Sequence, residues 1–412
     1  MSLNNTPSSE RVQIAFFGKT NAGKSSLINA ITGQEVSLVS EVKGTTTDPV
    51  KKTMEILPLG PVTIIDTPGF DDDSQLGELR QKRTMEIMKQ IHMAVIVVDV
   101  TIGKTEVEEY LEEQLKQEKV SYFYVYNKID LVSVNKVVED EKESNLKEET
   151  SEFVEEKEDA NVYVSTYTKE NIDLLMKKIA TIKVVKNKKK LVADLLQAGD
   201  HVLLVIPIDK AAPKGRLILP QQQTIRDILE ASCTLSICQV ENVVNTLQML
   251  GQPPKLVITD SQVFGEVKEL VPKDIKLTSF SILFARYKGD LKENVRGARV
   301  IEELQDGDKV LISEGCTHHR QCGDIGSEKL PKWIYKYTGK NIKFVFTSGN
   351  NFPEDLSSYR LIIHCGACML NEKQMQERIC RVKEQNIPMT NYGIAIAYLN
   401  GILKRSIEPL GL

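Results

Sequence analysis

The stretch from Gly18 to Ser25 reads G-x-x-x-x-G-K-S, the spacing of a phosphate-binding loop. Glycines let the backbone approach phosphate oxygens, and successive N–H groups at a helix N-terminus then point at the anion. Lys24 is expected to reach the β- and γ-phosphates, and the Ser25 hydroxyl to bind Mg²⁺. The residues predicted to hold the phosphates are Gly18, Asn21, Ala22, Gly23, Lys24, Ser25 and Ser26.

Two later segments supply groups that could complete a triphosphate site. The Thr-rich run 45–47 suits a switch whose threonine meets Mg²⁺ and the γ-phosphate; we favour Thr46, with Thr45 and Thr47 as alternatives. An apolar run then ends in D-x-x-G, where Asp66 can hold Mg²⁺ through water and the Gly69 N–H can sense the γ-phosphate. Lys24, Ser25, Thr46, Asp66 and Gly69 are therefore the predicted catalytic residues.

A base-reading motif, N-K-x-D, follows a third apolar run as Asn127, Lys128 and Asp130. An ionised Asp130 would accept from the two ring-edge donors of guanine, a pattern that adenine lacks, and leaving a buried carboxylate unpaired penalises the wrong base. Further on, Ser165 and Thr166 end another apolar run, and a backbone N–H there could meet the guanine carbonyl. GTP and GDP are the predicted ligands.

Two positions refine the expected hydrolysis. Asn21 resembles the asparagine that helps to bind a monovalent cation in potassium-activated GTPases, which implies that K⁺ could stabilise transition-state charge there as an arginine finger does; alternatively Asn21 only tolerates the loop backbone. Phe70 follows the D-x-x-G motif, and its side chain cannot orient a water molecule. Slow intrinsic hydrolysis, stimulated by potassium, is predicted.

These motifs stand at the ends of apolar runs that alternate with helical patterns, which predicts an α/β fold with a mostly parallel sheet and ligands at the strand ends. Roughly from Val12 to Ile182 the chain resembles TRAFAC-class GTPases, in particular the Era/MnmE-like group. We predict three domains: a P-loop GTPase domain at 1–182, a small α/β domain for dimerisation at 190–268, and an α/β cluster-binding domain at 272–412.

The composition narrows the class of protein. The chain has 412 residues and a net charge of −4, which does not favour general nucleic-acid binding. No apolar run approaches membrane-spanning length and the polar N-terminus lacks a signal-peptide core, so we expect a cytoplasmic protein without membrane or nucleic-acid partners. Seven cysteines in a reducing compartment favour metal binding or burial over disulfides. Cys233, Cys238 and Cys380 are interpreted as packing residues.

The C-terminal third concentrates metal-binding side chains at two predicted strand ends. Cys316 and His318 follow one strand, and His364, Cys365 and Cys368 follow another. The C-x-x-C spacing lets two thiolates bind one metal, Cys316 supplies a third, and His318 or His364 could supply or shield a fourth; Cys322 could also partner Cys316. A closed zinc site and an iron–sulfur cluster are both compatible with this spacing.

The combination of an N-terminal GTPase with C-T-H at 316–318 and H-C-G-A-C at 364–368 resembles the HydF family over essentially the whole chain. The resemblance implies a GTP-hydrolysing scaffold of FeFe-hydrogenase maturation, with a four-iron four-sulfur cluster on Cys316, Cys365 and Cys368 and His318 and His364 near it. It also implies transfer of a transient di-iron precursor from radical-SAM maturases to the apo FeFe-hydrogenase. The alternative is a tRNA-modification or ribosome-assembly GTPase with a structural zinc site.

Overall fold

A computed structural model describes residues 7–33, 49–70, 75–132, 161–181, 189–208, 217–315, 324–349 and 351–412. The chain divides into two compact units, Met1–Lys186 and Asn187–Leu412. Several predicted features lie outside the described residues. They are the switch threonines Thr45, Thr46 and Thr47 and the metal candidates Cys316, His318 and Cys322.

The described strands of the first unit form one six-stranded sheet in the order β2-β3-β1-β4-β5-β6. All neighbours are parallel except β2, which pairs antiparallel with β3. β1 and β4 read as continuous apolar runs because both faces of a parallel sheet are covered by helices. The strands are β1 Val12–Phe17, β2 Val50–Ile56, β3 Gly60–Asp66, β4 Met93–Asp99, β5 Ser121–Asn127 and β6 Val162–Val164.

Helices of the first unit connect these strands and bury one apolar face each. Lys24–Thr32 and Ile172–Thr181 contribute to the core on one side of the sheet, which includes Leu27 and Ile179. Glu106–Gln117 contributes Leu111 and Leu115 to the core on the other side. The helices are Lys24–Thr32, Gln75–Met88, Glu106–Gln117 and Ile172–Thr181.

The second unit contains two four-stranded sheets among its described residues, and every strand pair in both is parallel. The first sheet has the order β10-β9-β7-β8 and the second β12-β11-β13-β14. Its strands are β7 His201–Val205, β8 Thr234–Cys238, β9 Leu256–Thr259, β10 Leu277–Ser279, β11 Lys309–Glu314, β12 Lys343–Ser348, β13 Leu361–His364 and β14 Met389–Asn391.

The helices of the second unit are Leu219–Glu230, Val243–Met249, Phe264–Leu270, Phe280–Lys288, Leu291–Arg299, Leu330–Thr338, Glu372–Glu384, Tyr392–Leu399 and Leu403–Ile407. One apolar core joins residues from both sheets' segments, since Leu203 and Val257 lie in the same cluster as Ile394 and Ile407. The two sheets therefore do not have wholly separate cores.

The pairing of the strands extends the first sheet of the second unit past one predicted domain boundary. β10 pairs with β9 and completes the first sheet of the second unit, although it lies beyond position 268, where the middle domain was predicted to end. Its three residues are too few to show a periodic pattern, and only pairing reveals them. Cys238 lies on strand β8, and Cys233 is buried beside it.

Among the described residues, no helix combines the length and the apolar character needed to cross a membrane.

Candidate nucleotide and metal sites

The phosphate-binding loop leaves β1 through backbone conformations that need glycine. Gly18 has a φ of +140°, and a Cβ there would lie 2.3 Å from the Val97 carbonyl oxygen. Gly23 has a φ of +91°, and a Cβ there would lie 2.2 Å from the Asn127 amide nitrogen. The loop is thus wedged between the ends of β4 and β5, which fixes its N–H groups at the start of the 24–32 helix.

Lys24 and Ser25 lie at the first turn of that helix. The buried Lys24 ammonium donates to the carbonyl oxygens of Gly18 at 2.9 Å and Lys19 at 2.7 Å, so it spans the loop. The Ser25 hydroxyl donates to Oδ2 of Asp66 at 2.5 Å, while Oδ1 of Asp66 is buried with no hydrogen bond from the described residues. A hydroxyl next to a carboxylate oxygen with spare acceptor capacity is a donor set that fits Mg²⁺.

Burial dominates the environment of Asp66 and raises the pKa of its carboxyl, although the Ser25 hydroxyl and the Lys24 and Lys52 ammonium groups oppose the shift. Three residues after Asp66, Gly69 lies directly against Thr20 of the phosphate loop. A Cβ at Gly69 would lie 2.1 Å from the Thr20 hydroxyl oxygen and 2.8 Å from the Thr20 backbone nitrogen. This close approach brings the backbone of the D-x-x-G segment to the phosphate end of the site.

Hydrogen bonds bring the residues of the N-K-x-D motif together with the phosphate loop and with Ser165 and Thr166. Asn127 is fully buried; its amide donates to the Ala22 carbonyl at 3.1 Å and its Oδ1 accepts from the Thr166 N–H at 3.3 Å. The Ser165 hydroxyl donates to Oδ1 of Asp130 at 2.5 Å. Asn127 thus connects the phosphate loop to the last motif, and Ser165 orients the carboxylate that would read guanine.

Asp99 is a site residue that motif reading missed. It ends β4, and its Oδ2 pairs with the Lys128 ammonium at 2.5 Å. Burial alone would raise the pKa of Asp99, but hydrogen bonds from Lys128 and Thr101 outweigh it and hold the pKa below its usual range. Lys128 itself has a left-handed backbone, with φ +71°. The sequence signal for Asp99 is its position, since it is an acidic residue at the end of a long apolar run.

Phe70 packs against the helix Glu106–Gln117. Its ring centroid lies 5.4 Å from that of Tyr110, and it belongs to the apolar core on that side of the sheet. The position after D-x-x-G is therefore filled by an aromatic side chain that offers no hydrogen bond to a water molecule.

The second site occupies the end of β13, where a loop carries Cys365 and Cys368. The Sγ of Cys365 accepts from the Gly315 N–H at 3.0 Å and from the Ala367 N–H at 3.4 Å. Burial and the neighbouring Cys368 raise the pKa of the Cys365 thiol to about 11. Two N–H donors aimed at a sulfur stabilise a thiolate, so the loop fits a metal or cluster once metal binding removes the proton.

His364 is fully buried and both ring nitrogens have protein partners. Arg378 donates to Nε2 at 2.8 Å, and Nδ1 lies 2.8 Å from the Cys365 carbonyl oxygen. Burial and the Arg378 charge lower the pKa of His364 to about 3, so the neutral ring donates from Nδ1. In this arrangement His364 holds the backbone of the cysteine loop and presents no spare nitrogen.

Arg378 was not found from sequence because it lies among core positions of the 372–384 helix. It is 4% exposed and stacks over Phe352, with 5.0 Å from its guanidinium carbon to the ring centroid. Within the described ranges, no three His, Cys, Asp or Glu side chains gather as a metal site. The other predicted ligands, Cys316 and His318, fall in the undescribed interval 316–323.

Known GTPases match part of the chain. The GTPase Der of Kosmotoga olearia is 34% identical over 129 residues, covering 30% of this chain and 29% of Der. The tRNA modification GTPase MnmE of Nitrosomonas europaea is 32% identical over 167 residues, covering 40% of this chain and 33% of MnmE. The chain thus spans about a third or less of the length of either relative. A crystal structure of Aquifex aeolicus Era matches at 18% identity and a TM-score of 0.34, covering 63% of this chain and 97% of Era.

Three family models match successive parts of the chain. Residues 13–128 match the 50S ribosome-binding GTPase model. Residues 191–289 match the hydrogen maturase F dimerization domain, and residues 291–409 match the hydrogen maturase F tetramerization domain. The two hydrogen maturase F models together cover more than half of the chain, behind a GTPase domain. The chain therefore belongs to the hydrogen maturase F (HydF) family.

Proposed function

We propose that this chain is a GTP-binding and GTP-hydrolysing scaffold that carries a four-iron four-sulfur cluster. It would accept a di-iron precursor from radical-SAM maturases in the cytoplasm and deliver it to apo FeFe-hydrogenase. One observation carries the proposal: a single chain of this family combines a GTPase domain with a half-buried loop in which the Cys365 sulfur accepts from two N–H donors.

The nucleotide chemistry follows from the first unit. N–H groups of the phosphate loop and Lys24 would bind the phosphates, and Ser25 with Asp66 would hold Mg²⁺. Asp130, oriented by Ser165, would accept from guanine. Changes around Thr46 and Gly69 between the GTP and GDP states would bias contacts with partner proteins.

Slow hydrolysis with potassium stimulation is part of the same proposal. Phe70 cannot orient the attacking water, and Asn21 lies in the loop with φ +65°. Asn21→Gly tests the cation role because glycine accepts this backbone angle without strain. We expect KCl to accelerate GTP hydrolysis over NaCl in the parent chain but not in Asn21→Gly; equal stimulation of both would refute a role for Asn21.

Cys316, Cys365 and Cys368 would hold the cluster, with His318 near it. A cluster with three thiolate ligands leaves one iron position that can bind an incoming cofactor. We propose that His364 positions the loop instead of ligating iron, since Arg378 and the Cys365 carbonyl occupy its ring. A His364→Gln chain should then retain most of its iron. Loss of most of the iron in this variant would instead indicate that His364 is a ligand.

The decisive experiment measures iron, acid-labile sulfide and zinc after anaerobic purification and reconstitution, with an EPR spectrum of the reduced sample. About four irons and four sulfides per chain with a cluster signal would support the carrier function. Stoichiometric zinc without a signal would overturn it and favour an RNA-linked GTPase with a structural zinc site.

We further infer that the chain self-associates as a homodimer or a larger assembly, because its two C-terminal segments match models described as dimerization and tetramerization domains. Light scattering of the full chain tests this, and a monomer at micromolar concentration would refute it. A deletion of residues 190–268 is a poor test, because it leaves β10 without its sheet.

A further inference from the structure

Lys288 is a buried lysine whose ammonium group lies against the cysteine loop. It is the last residue of the helix Phe280–Lys288 and is 3% exposed. Its Nζ donates to the carbonyl oxygens of Ala367 at 3.2 Å, Cys368 at 3.4 Å and Leu370 at 2.9 Å. Burying an ammonium group is costly unless it is well paired, so its convergence on one loop needs an explanation.

The three carbonyls belong to the turn that shapes the C-x-x-C segment. Ala367 has a left-handed backbone, with φ +54°, which aims successive carbonyls to one side of the turn. One ammonium group that donates to these three carbonyl oxygens can hold the turn and therefore the spacing of the two thiols.

The helix that carries Lys288 is fixed at both ends. Near its start, the Ser281 carbonyl accepts from the Asn391 amide at 2.8 Å. At its end, the Lys288 carbonyl accepts from the Gln376 amide at 3.1 Å. Between them, Leu283 and Phe284 lie in the core of the first sheet of this unit. The charge is thus held at a defined place, as an electrostatic effect on a neighbouring group requires.

We propose that Lys288 is a positioning residue for the cysteine loop, residues 365–371, and supplies a fixed positive charge that raises the midpoint potential of the cluster. This inference rests on the proposed cluster-binding function. Reduction adds one electron to a site that is already anionic through its thiolates, and a nearby fixed cation in a buried setting favours the reduced form.

An EPR-monitored redox titration of the reconstituted full chain tests the electrostatic part. We expect Lys288→Met to lower the ratio of reduced to oxidised cluster at a fixed potential by about tenfold or more, about 59 mV for one electron. Lys288→Arg should restore most of the ratio. Lys292→Met removes an exposed lysine four residues away and should leave the ratio unchanged. Equal potentials for Lys288→Met and Lys292→Met would refute the proposal.

Hydrogen exchange on the cluster-free chain tests the positioning part without iron. We expect Lys288→Met to accelerate exchange about tenfold in peptides covering residues 365–371 and little elsewhere. Uniform acceleration across residues 187–412 would mean that Lys288 only stabilises the fold, and would overturn the proposal. If the parent chain itself bound no iron, the cluster function would fail instead, while this exchange result would still judge the positioning role of Lys288.

Discussion

The nucleotide site and the cysteine site both lie at the carboxyl ends of parallel strands, but they are built from different materials. The first uses backbone N–H groups and exposed side chains such as Ser25, supplied by short contiguous motifs. The second is half-buried and depends on Lys288, about 80 positions away in the chain, and on Arg378 from the helix that follows the loop. The proposed nucleotide site can therefore be recognised from contiguous residues, whereas the proposed cluster site depends on supporting side chains outside its motif.

The difference also shows in how the key side chains are held. Asp130 and Asn127 are held by residues of other nucleotide-binding motifs, since Asp130 accepts from Ser165 and Asn127 contacts Ala22 and Thr166. His364 instead depends on Arg378, which also donates to the Gly349 carbonyl and lies over Phe352. A motif can therefore indicate the first site almost completely but only the ligands of the second.

The largest expected effect comes from Cys365→Ser, which removes a proposed cluster ligand from the half-buried loop. Hydroxyl oxygen is a poor ligand for iron, so we expect loss of nearly all cluster iron with GTP affinity unchanged. Iron analysis and a nucleotide-binding titration on the same sample measure both. Cys380→Ser, at an exposed helix position, is the matched control. Iron retained by Cys365→Ser would break the distinction between the two sites.

Asp130→Ala removes the acceptor for guanine and should weaken GTP binding about a hundredfold or more, because the base loses two charge-assisted hydrogen bonds. The cluster content should not change. Fluorescence titration with a labelled guanine nucleotide measures the affinity. Asp173→Ala changes an exposed carboxylate in the same unit and should have no effect. Unchanged affinity in Asp130→Ala would contradict guanine recognition by this motif.

Ser165→Ala sharpens the assignment of the last motif. The Ser165 hydroxyl donates to Asp130 and accepts from the N–H groups of Tyr167 and Thr168. Without this hydroxyl, the Asp130 carboxylate and the turn at 165–168 should be less well ordered. GTP binding should weaken about tenfold, because one hydrogen bond to a charged group is lost. The same titration decides. If Ser165→Ala matched the parent chain, the orientation of Asp130 would not depend on this serine.

Glu112→Gln is expected to have the smallest effect and to act on the stability of the first unit alone. Burial would raise the pKa of Glu112, but hydrogen bonds from Lys116, Tyr124 and Tyr122 outweigh it and lower the pKa from 4.5 to about 2. The carboxylate therefore stabilises the fold above pH 4.5, and this contribution is lost as the pH falls toward 2. With a side chain 24% exposed, it should amount to about 1–2 kcal/mol.

Urea unfolding of Glu112→Gln and the parent chain at pH 7 and pH 3 measures this difference. The gap between the two proteins should narrow at pH 3. Glu113→Gln, at the adjacent exposed position, is the control and should stay within about 0.5 kcal/mol of the parent. If the difference in the free energy of unfolding were larger at pH 3 than at pH 7, the ionised Glu112 would not be the stabilising form.

The sequence by itself determined the first unit's chemistry. Phosphate and base recognition need specific residue types within a few positions of a strand end, so G-x-x-x-x-G-K-S, D-x-x-G and N-K-x-D indicate the site and its parallel sheet without coordinates. It also placed His364, Cys365 and Cys368 at a strand end, since apolar runs mark buried strands.

Only the tertiary structure decided which side chains support those residues. The pairing of Asp99 with Lys128, of Arg378 with His364 and of Lys288 with the cysteine loop joins residues 29, 14 and about 80 positions apart. Edge strand β2 and the short strand β10 likewise appear through pairing, not pattern. Periodic patterns depend on residues close together in the sequence, so they can be recognised without a structure. The partners that stabilise a buried charge come from any segment that the fold brings near, so only the structure identifies them.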